Sequence, residues 1–150
     1  MAMGLRPSML DDLGLVAAME RAIEEVQQNH AIEIALDSDG LTEMRLPESI
    51  EIAFFRIFQE AIQNIVKHSK ARSGTVQLSH EHGRITLEIT DDGCGIDPAI
   101  LELGHAPGSH LGLLSMQERA SMNAGQFHIE SEPGQGTRIV ATLPLDKSRA

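Results

Sequence analysis

Two adjacent carboxylates, Asp91 and Asp92, stand directly before a glycine turn in the stretch DDGCGI, residues 91–96. Adjacent acids repel each other, and Gly93 and Gly95 lose more backbone entropy on folding than other residues would. Glycine lets a ligand approach the backbone closely, and a buried carboxylate can accept a hydrogen bond from the exocyclic amine of adenine. Guanine presents an acceptor oxygen there, which would leave the buried charge uncompensated. A β-turn without any ligand also uses Asp-Gly, so both interpretations stay open.

A second polar set lies in residues 46–70, which carry the strongest helical pattern of the chain. Successive helix residues rotate by about 100°, and this rotation predicts a buried stripe made of Phe54, Ile57, Phe58, Ala61 and Ile65. Glu60, Asn64, Lys67 and His68 fall together along one margin of that stripe. An Asn oxygen suits Mg²⁺, a Lys ammonium suits phosphate, and a Glu can orient or deprotonate a nucleophile. Periodicity alone favours an ordinary solvated flank.

A third set is the stretch GHAPGSHLGL, residues 104–113, which leads into a predicted helix. Gly108 and Gly112 would let backbone N–H groups at that helix terminus meet a phosphate. The Gly-Lys-Ser/Thr of a P-loop is absent, and the segment does not follow the first strand of a βαβ unit, so neither familiar nucleotide fold is favoured. The alternative is an ordinary surface loop; we predict a mobile loop that also serves function.

Two other sets of reactive side chains have simpler explanations. His80 and His82 flank a predicted hairpin turn, and without a third ligand they are better explained as exposed turn residues than as a metal pair. Cys94 is better explained as a small residue in a tight turn than as a nucleophile. Because it is the single cysteine of the chain, an internal disulfide is excluded and a reducing compartment is indicated.

The elements that must position these residues follow from periodicity and turn signals. The pattern predicts helices over 11–28, 46–70 and 110–125, and strands over 31–37, 75–81, 84–90, 126–131 and 137–145. His82-Gly83 is predicted as a hairpin turn. Hairpins without regular strand–helix alternation favour an α/β sandwich of the α+β class, with one sheet face covered by helices.

Composition narrows the function classes. The chain has 150 residues, enough for one domain with its own core, and a formal net charge of −10. A nucleic-acid binder needs a basic face, so that class is disfavoured. No apolar run approaches the roughly 20 residues of a membrane helix, and no secretory signal is visible.

The motifs, taken in chain order, resemble the ATP-binding domain (HATPase_c, GHKL superfamily) of sensor histidine kinases. FQEAIQNIVKHSKA (58–71) is similar to the N box and DDGCGI to the first glycine box. GSHLGLLSMQERA (108–120) is similar to the second glycine box, and GQGTRIVATLP (134–144) to the Gly-Thr box. The agreement covers nearly everything from Leu46 to Pro144.

The segment LRPSMLDDLGLVAAMER, residues 5–21, resembles the junction after the dimerisation helices in one branch of these kinases. In that branch the response regulators are helix-turn-helix transcription factors. The junction distinguishes a histidine kinase from gyrase, mismatch-repair and chaperone relatives. The domain bounds that follow are 1–10 for the junction tail or added residues, 11–146 for the catalytic domain and 147–150 for a tail.

The resemblance implies a Bergerat-type fold, with a mixed, mainly antiparallel sheet of about five strands covered on one face by three helices. It also implies roles for particular residues. Asn64 would bind Mg²⁺ and Glu60 would be the base or polarising acid. Lys67 and His68 would contact the phosphates or ribose. Asp91 would bind adenine, supported by the hydroxyl of Thr137, in a pocket shaped by Gly93, Gly95 and Ile96. The lid and phosphate segment would include Gly108, Gly112 and Leu113. Asp92 replaces the usual Asn, and the second box has an abbreviated glycine pattern.

The resemblance further implies a protein-histidine kinase domain that uses Mg·ATP in two-component signalling. Its partners would be ATP, the dimerisation helices that carry the acceptor histidine and, through them, a response regulator, with no direct nucleic-acid or membrane contact. We expect a cytoplasmic domain of a membrane-anchored sensor. His30 precedes a strand and lacks the acidic helical context of an acceptor, so we expect the acceptor outside these residues. The alternatives are a GHKL ATPase that drives a conformational cycle, and a non-catalytic nucleotide-sensing module.

Overall fold

The structure, a computed structural model, describes residues 8–38, 41, 45–95, 99 and 112–145. Its helices are α1 (Ser8–Asn29), α2 (Glu48–Asn64), which continues into a π-helix (Ile65–Ser69), and α3 (Leu113–Met122). Its strands are β1 (Glu33–Asp37), β2 (Ser73–Glu81), β3 (Arg84–Asp91), β4 (Gln126–Glu132) and β5 (Gly136–Pro144). None of the described helices is long and apolar enough to cross a membrane.

The five strands form one sheet in the order β1-β2-β3-β5-β4. β1 runs parallel to β2, and the three other pairings are antiparallel. The tight His82-Gly83 turn connects β2 to β3, as the sequence predicts; both residues have positive φ, 53° and 74°. The predicted mixed, mainly antiparallel sheet is therefore confirmed.

One face of the sheet is apolar and packs under the helices, while the other is polar. On β2 and β3 the alternate residues Val76, Leu78, Ile85, Leu87 and Ile89 are buried. α2 contacts β3 and β5, and α3 contacts β4 and β5, so the helices cover this face. All five residues of the predicted α2 stripe are buried. Each fully buried side chain of this size contributes about 2 kcal/mol, so the stripe fixes which margin of α2 remains open.

A sharp kink interrupts α1 at Gly14, where the φ angle is 83°. Arg45 occupies the space beside it, since a Cβ on Gly14 would lie 3.3 Å from Cδ of Arg45. The Arg45 guanidinium donates to the carbonyl of Leu10 at 3.2 Å and to both carboxylate oxygens of Glu51. Periodicity predicts one uninterrupted helix here. It depends only on neighbouring residues, so it cannot predict a contact with Arg45, which lies far away in the sequence.

The helix predicted over 46–70 changes type within its last five residues. From Ile65 to Ser69 the chain forms a π-helix, and Lys70, with a φ of 55°, ends it. A π-helix bonds residue i to i+5, so each residue rotates less than the 100° of an α-helix. Lys67 therefore departs from the helical projection that grouped it with Glu60 and Asn64.

Candidate functional site

Asp91 is the last residue of β3 and lies on the sheet face that the helices cover, two residues beyond buried Ile89. Its Oδ1 accepts a hydrogen bond from the N–H of Gly93 at 2.8 Å. Burial raises the pKa of Asp91, the N–H groups of Gly93 and Thr137 oppose that rise, and the charge of Asp92 adds to it. A carboxylate that burial disfavours is stabilised by any further donor, so it suits a ligand with an amine.

Near Asp91, neighbouring backbone atoms leave no room for a side chain at Gly95 or Gly136. A Cβ on Gly95 would overlap the carbonyl oxygen of Glu132, and one on Gly136 would overlap that of Asp91. The N–H of Gly134 donates to the carbonyl of Cys94 at 2.7 Å. The turn after β3 is thus held against the β4–β5 hairpin. This close backbone packing gives a reason for Gly95 that is independent of any ligand.

A row of hydroxyl groups continues from Asp91 across the same face. Asp91 pairs with Thr137 on β5, and Thr137 pairs with Ser131 on β4. Opposite residues of antiparallel strands share a face, and the two hydroxyl oxygens lie 2.8 Å apart. Ser131 also donates to the carbonyl of Gly136 at 3.2 Å. Sequence reasoning missed Ser131, although the alternation of β4 places it on the same face as Phe127 and Ile129.

The polar margin of α2 is formed in part. Glu60 and Asn64 lie one turn apart and are both half-buried, whereas Lys67 is exposed in the π-helix. The side chain of His68 lies outside the described residues, as do Ile96 and Gly108 in full. Gly93 is buried in the turn that follows β3. The predicted site residues that the structure describes therefore form two clusters, one on α2 and one at the end of β3, and a further pair at the start of α3.

The start of α3 borders the α2 cluster. Gly112 precedes the helix in the left-handed conformation, and Leu113 is fully buried in the core. The carboxylate of Glu60 lies against Gly112. Burial lowers the pKa of Arg119 on α3, the charge of Arg56 lowers it further, and the charge of Glu60 opposes the change. Arg119 therefore brings positive charge to the region around Glu60.

Asp92 points away from Asp91 and ties β3 to the start of β2. Its Oδ1 accepts the backbone N–H groups of Arg72 and Ser73 at 2.9 and 3.0 Å, and its Oδ2 accepts the Ser73 hydroxyl at 2.9 Å. These hydrogen bonds hold the pKa of Asp92 below its ordinary value, and those from Ser73 have the largest effect. Arg72 follows the π-helix by three residues, so this link connects the chain that leaves that helix to the turn after β3.

Other features of the described residues lie beside these clusters or away from them. A cavity of about 680 Å³ beside the β4–β5 hairpin touches Asp91 and Thr137 but is lined by no residue of α2. His80 and His82 are exposed at the hairpin turn, and Cys94 is exposed too. No group of three or more His, Cys, Asp or Glu within the described ranges is arranged to hold a metal ion.

Comparison with known families and proteins gives consistent matches. A sequence model described as "Histidine kinase-, DNA gyrase B-, and HSP90-like ATPase" matches residues 49–147. A curated protein of Brevibacillus brevis, named signal transduction histidine-protein kinase/phosphatase DegS, is 36% identical over 141 residues. That match covers 94% of this chain and 35% of the relative, so the chain spans about a third of the relative's length.

Two solved structures share the fold. The histidine kinase domain of a blue-light activated kinase from Erythrobacter litoralis superposes with a TM-score of 0.71 at 20% identity, over 92% of this chain and 69% of that one. The catalytic domain of the histidine kinase ThkA gives a TM-score of 0.72 at 15% identity, over 91% of this chain and 93% of that one. At these identities the likeness establishes the fold, and it confirms the α/β architecture predicted from the sequence.

Proposed function

This chain belongs to the histidine kinase-, DNA gyrase B- and HSP90-like ATPase family, and on that basis we propose that it is the ATP-binding catalytic domain of a sensor histidine kinase. One observation favours a histidine kinase over the other members of this family. The family match begins at residue 49, whereas the match to the protein named a histidine-protein kinase covers 94% of the chain and so includes most of α1. α1 therefore favours a kinase over the other members of the family.

In this proposal the β3 cluster binds adenine. Asp91 accepts a hydrogen bond from the exocyclic amine, and Thr137, with Ser131 behind it, holds the hydroxyl row beside the base. The raised pKa of Asp91 supports this role, because the amine restores a donor to a carboxylate that burial has disfavoured. Gly93 and Gly95 keep the turn compact, and Ile96 completes the pocket.

The α2 cluster handles the phosphates. A single Asn oxygen suits Mg²⁺, which commonly takes only one or two protein ligands and completes its shell with phosphate oxygens and water. The described residues offer no larger set of acidic or His ligands, which is compatible with a cation held mainly by the nucleotide. Asn64 would hold it, while Lys67, His68 and the backbone of Gly108 and Gly112 would meet the phosphates. When bound, Mg²⁺ neutralises phosphate charge.

Glu60 lies one turn from Asn64 and would act on the acceptor histidine. One imidazole nitrogen forms the bond to the γ-phosphorus as the bond to the bridging oxygen of the departing ADP breaks. Glu60 accepts the N–H of the imidazole, which orients the ring and stabilises the positive charge that develops on it. The acceptor would be carried by dimerisation helices, and the phosphoryl group would then pass to a response regulator.

Two measurements on the purified chain test this proposal. Calorimetric titration should show binding of Mg·ATP with a clear preference over Mg·GTP. Incubation with radiolabelled ATP and a dimerisation-helix fragment should label the fragment. Release of phosphate with no labelled fragment would favour an ATPase. ATP binding with neither phosphate release nor a labelled fragment would favour a nucleotide-sensing module. Equal affinity for ATP and GTP would contradict the adenine site.

Asn64→Ala tests the cation site. We expect it to remove the Mg²⁺-dependent part of ATP affinity, about tenfold or more, and to leave the circular dichroism spectrum unchanged. The fold should persist because Asn64 lies at the half-buried margin of α2 and outside the core. Gln63→Ala on the exposed side of the same turn is the matched control. Unchanged Mg·ATP affinity in Asn64→Ala would remove this residue from the site.

A further inference from the structure

Gly112 and Glu60 compete for the same space. Gly112 adopts a left-handed conformation, with φ of 67° and ψ of 18°, immediately before α3. A Cβ added there would overlap Oε2 of Glu60 and would lie 2.9 Å from its Cδ. The carboxylate of Glu60 therefore occupies the volume that any side chain at position 112 would need.

The two partners differ in how easily they can move. The backbone at the start of α3 is anchored by Leu113 and Met116, both fully buried. Glu60 is half-buried, and its carboxylate is the free end of a side chain with several rotatable bonds. A Cβ at position 112 would therefore displace the carboxylate and leave the helix in place. Restoring ordinary van der Waals separation requires a shift of about 1 Å.

The surroundings explain why the carboxylate lies there. The first turn of a helix carries a partial positive charge, and Gly112 stands at the first turn of α3. Arg119, farther along α3, is close enough to interact electrostatically with Glu60 and with Arg56, which lies one turn before Glu60 on α2. The missing side chain at position 112 lets Glu60 approach this positive region.

We propose that Gly112 is a positioning residue for Glu60. This inference rests on the proposed function, in which Glu60 orients the acceptor imidazole. The second glycine box then controls phosphoryl transfer through the placement of the carboxylate on α2, in addition to any contact that its backbone makes with phosphate. A misplacement of about 1 Å at a reacting group can reduce a rate about 100-fold.

Four variants isolate this effect: Gly112→Ala, Glu60→Gln, the double variant, and Gly83→Ala as a control. Gly83 has a φ of 74°, and a Cβ there would meet nothing within 4 Å. Gly83→Ala therefore reproduces the backbone strain of a left-handed alanine without the overlap. Melting temperatures, Kd for Mg·ATP and the rate of label transfer to a dimerisation-helix fragment are measured for each, and a crystal structure is determined for Gly112→Ala.

We expect Gly112→Ala to slow transfer about 100-fold and to change the Kd for ATP by less than about threefold, because an alanine at 112 keeps its N–H. Its melting temperature should fall by about as much as that of Gly83→Ala, whose transfer rate should not change. If residue 112 acts through Glu60, the double variant should be no slower than the slower single variant. The crystal structure should show the carboxylate displaced by about 1 Å or more.

Three results would overturn the inference: an undisplaced carboxylate, rate losses that multiply in the double variant, or a loss confined to ATP affinity. Failure of the proposed function is distinguishable from these. A parent chain that binds no ATP, or labels no fragment, would refute the kinase proposal. The Gly112→Ala structure would still show whether a side chain at position 112 displaces the carboxylate of Glu60.

Discussion

At the end of β3, two neighbouring aspartates lie on opposite sides of the sheet. Asp91 is half-buried under the helices, and burial raises its pKa. Asp92 is exposed and bonded to three donors from Arg72 and Ser73, which lower its pKa. The two side chains are chemically identical, and the direction in which the backbone presents each one decides its surroundings.

In the proposed function, this difference separates a residue that binds the nucleotide, Asp91, from one that holds the fold, Asp92. Asp92 already has its donors inside the protein, so its charge contributes to holding β2 against β3. Asp91 is a carboxylate in an environment that disfavours its charge, and a ligand amine would relieve that disadvantage. The same alternation separates Thr137, which faces the helices, from Arg138, which bonds to Glu88 and Glu130 on the opposite face.

Asp91→Asn should have the largest effect on ATP. It keeps an oxygen for the N–H of Gly93 but loses the charge that the exocyclic amine requires, so we expect about 100-fold weaker binding by calorimetry. Stability should change in the opposite direction. Since the folded pKa of Asp91 is raised, its contribution to stability is present below its ordinary 3.8 and is lost as pH rises through the folded value. At neutral pH the variant should be at least as stable as the parent. A large loss of stability there would refute the assignment of Asp91 as a binding residue.

Asp92→Ala should lower the melting temperature by a few degrees at neutral pH and weaken ATP binding roughly tenfold by loosening the turn. Because the folded pKa of Asp92 is lowered, its stabilising contribution is present above the ordinary 3.8 and disappears as pH falls through the folded value. The difference between the parent and the variant should therefore vanish in acid. Asp92→Asn, which keeps one acceptor oxygen, is the matched control and should lie between them. A pH-independent difference would contradict this origin.

Ser131→Ala should weaken ATP binding by about fivefold, because it removes one hydroxyl bond to Thr137 that contributes about 1 kcal/mol. Thr137→Val removes the hydroxyl nearer to Asp91 and should weaken binding more. Isothermal titration of both variants ranks them. Equal ATP affinity of Ser131→Ala and the parent would show that Ser131 does not support ATP binding through Thr137.

Arg138→Gln should have the smallest effect. Its ion pairs with Glu88 and Glu130 are partly exposed on the polar face, and exposed pairs contribute little and are screened by salt. ATP affinity should stay within about twofold of the parent, and any change in melting temperature should diminish in high salt. A large loss of ATP affinity would show that the polar face also takes part in nucleotide binding.

The sequence by itself determined the elements and most of the candidate chemistry. Helical and strand periodicity located the helices and strands to within a few residues, and the buried stripe of α2 followed from the rotation per residue. These are local properties, since each depends on residues a few positions apart. The order of the glycine and polar motifs indicated the family, which the comparisons established.

Only the tertiary structure decided which side chains meet. The contact of Glu60 with Gly112 joins residues 52 positions apart, and the contact of Arg45 with Gly14 joins residues 31 positions apart. Ser131 meets Thr137 because strand register brings two strands together. The requirement for Gly95 comes from the carbonyl of Glu132 on another strand. Such contacts depend on how elements pack and on the register between them, and no spacing along the chain encodes that distance.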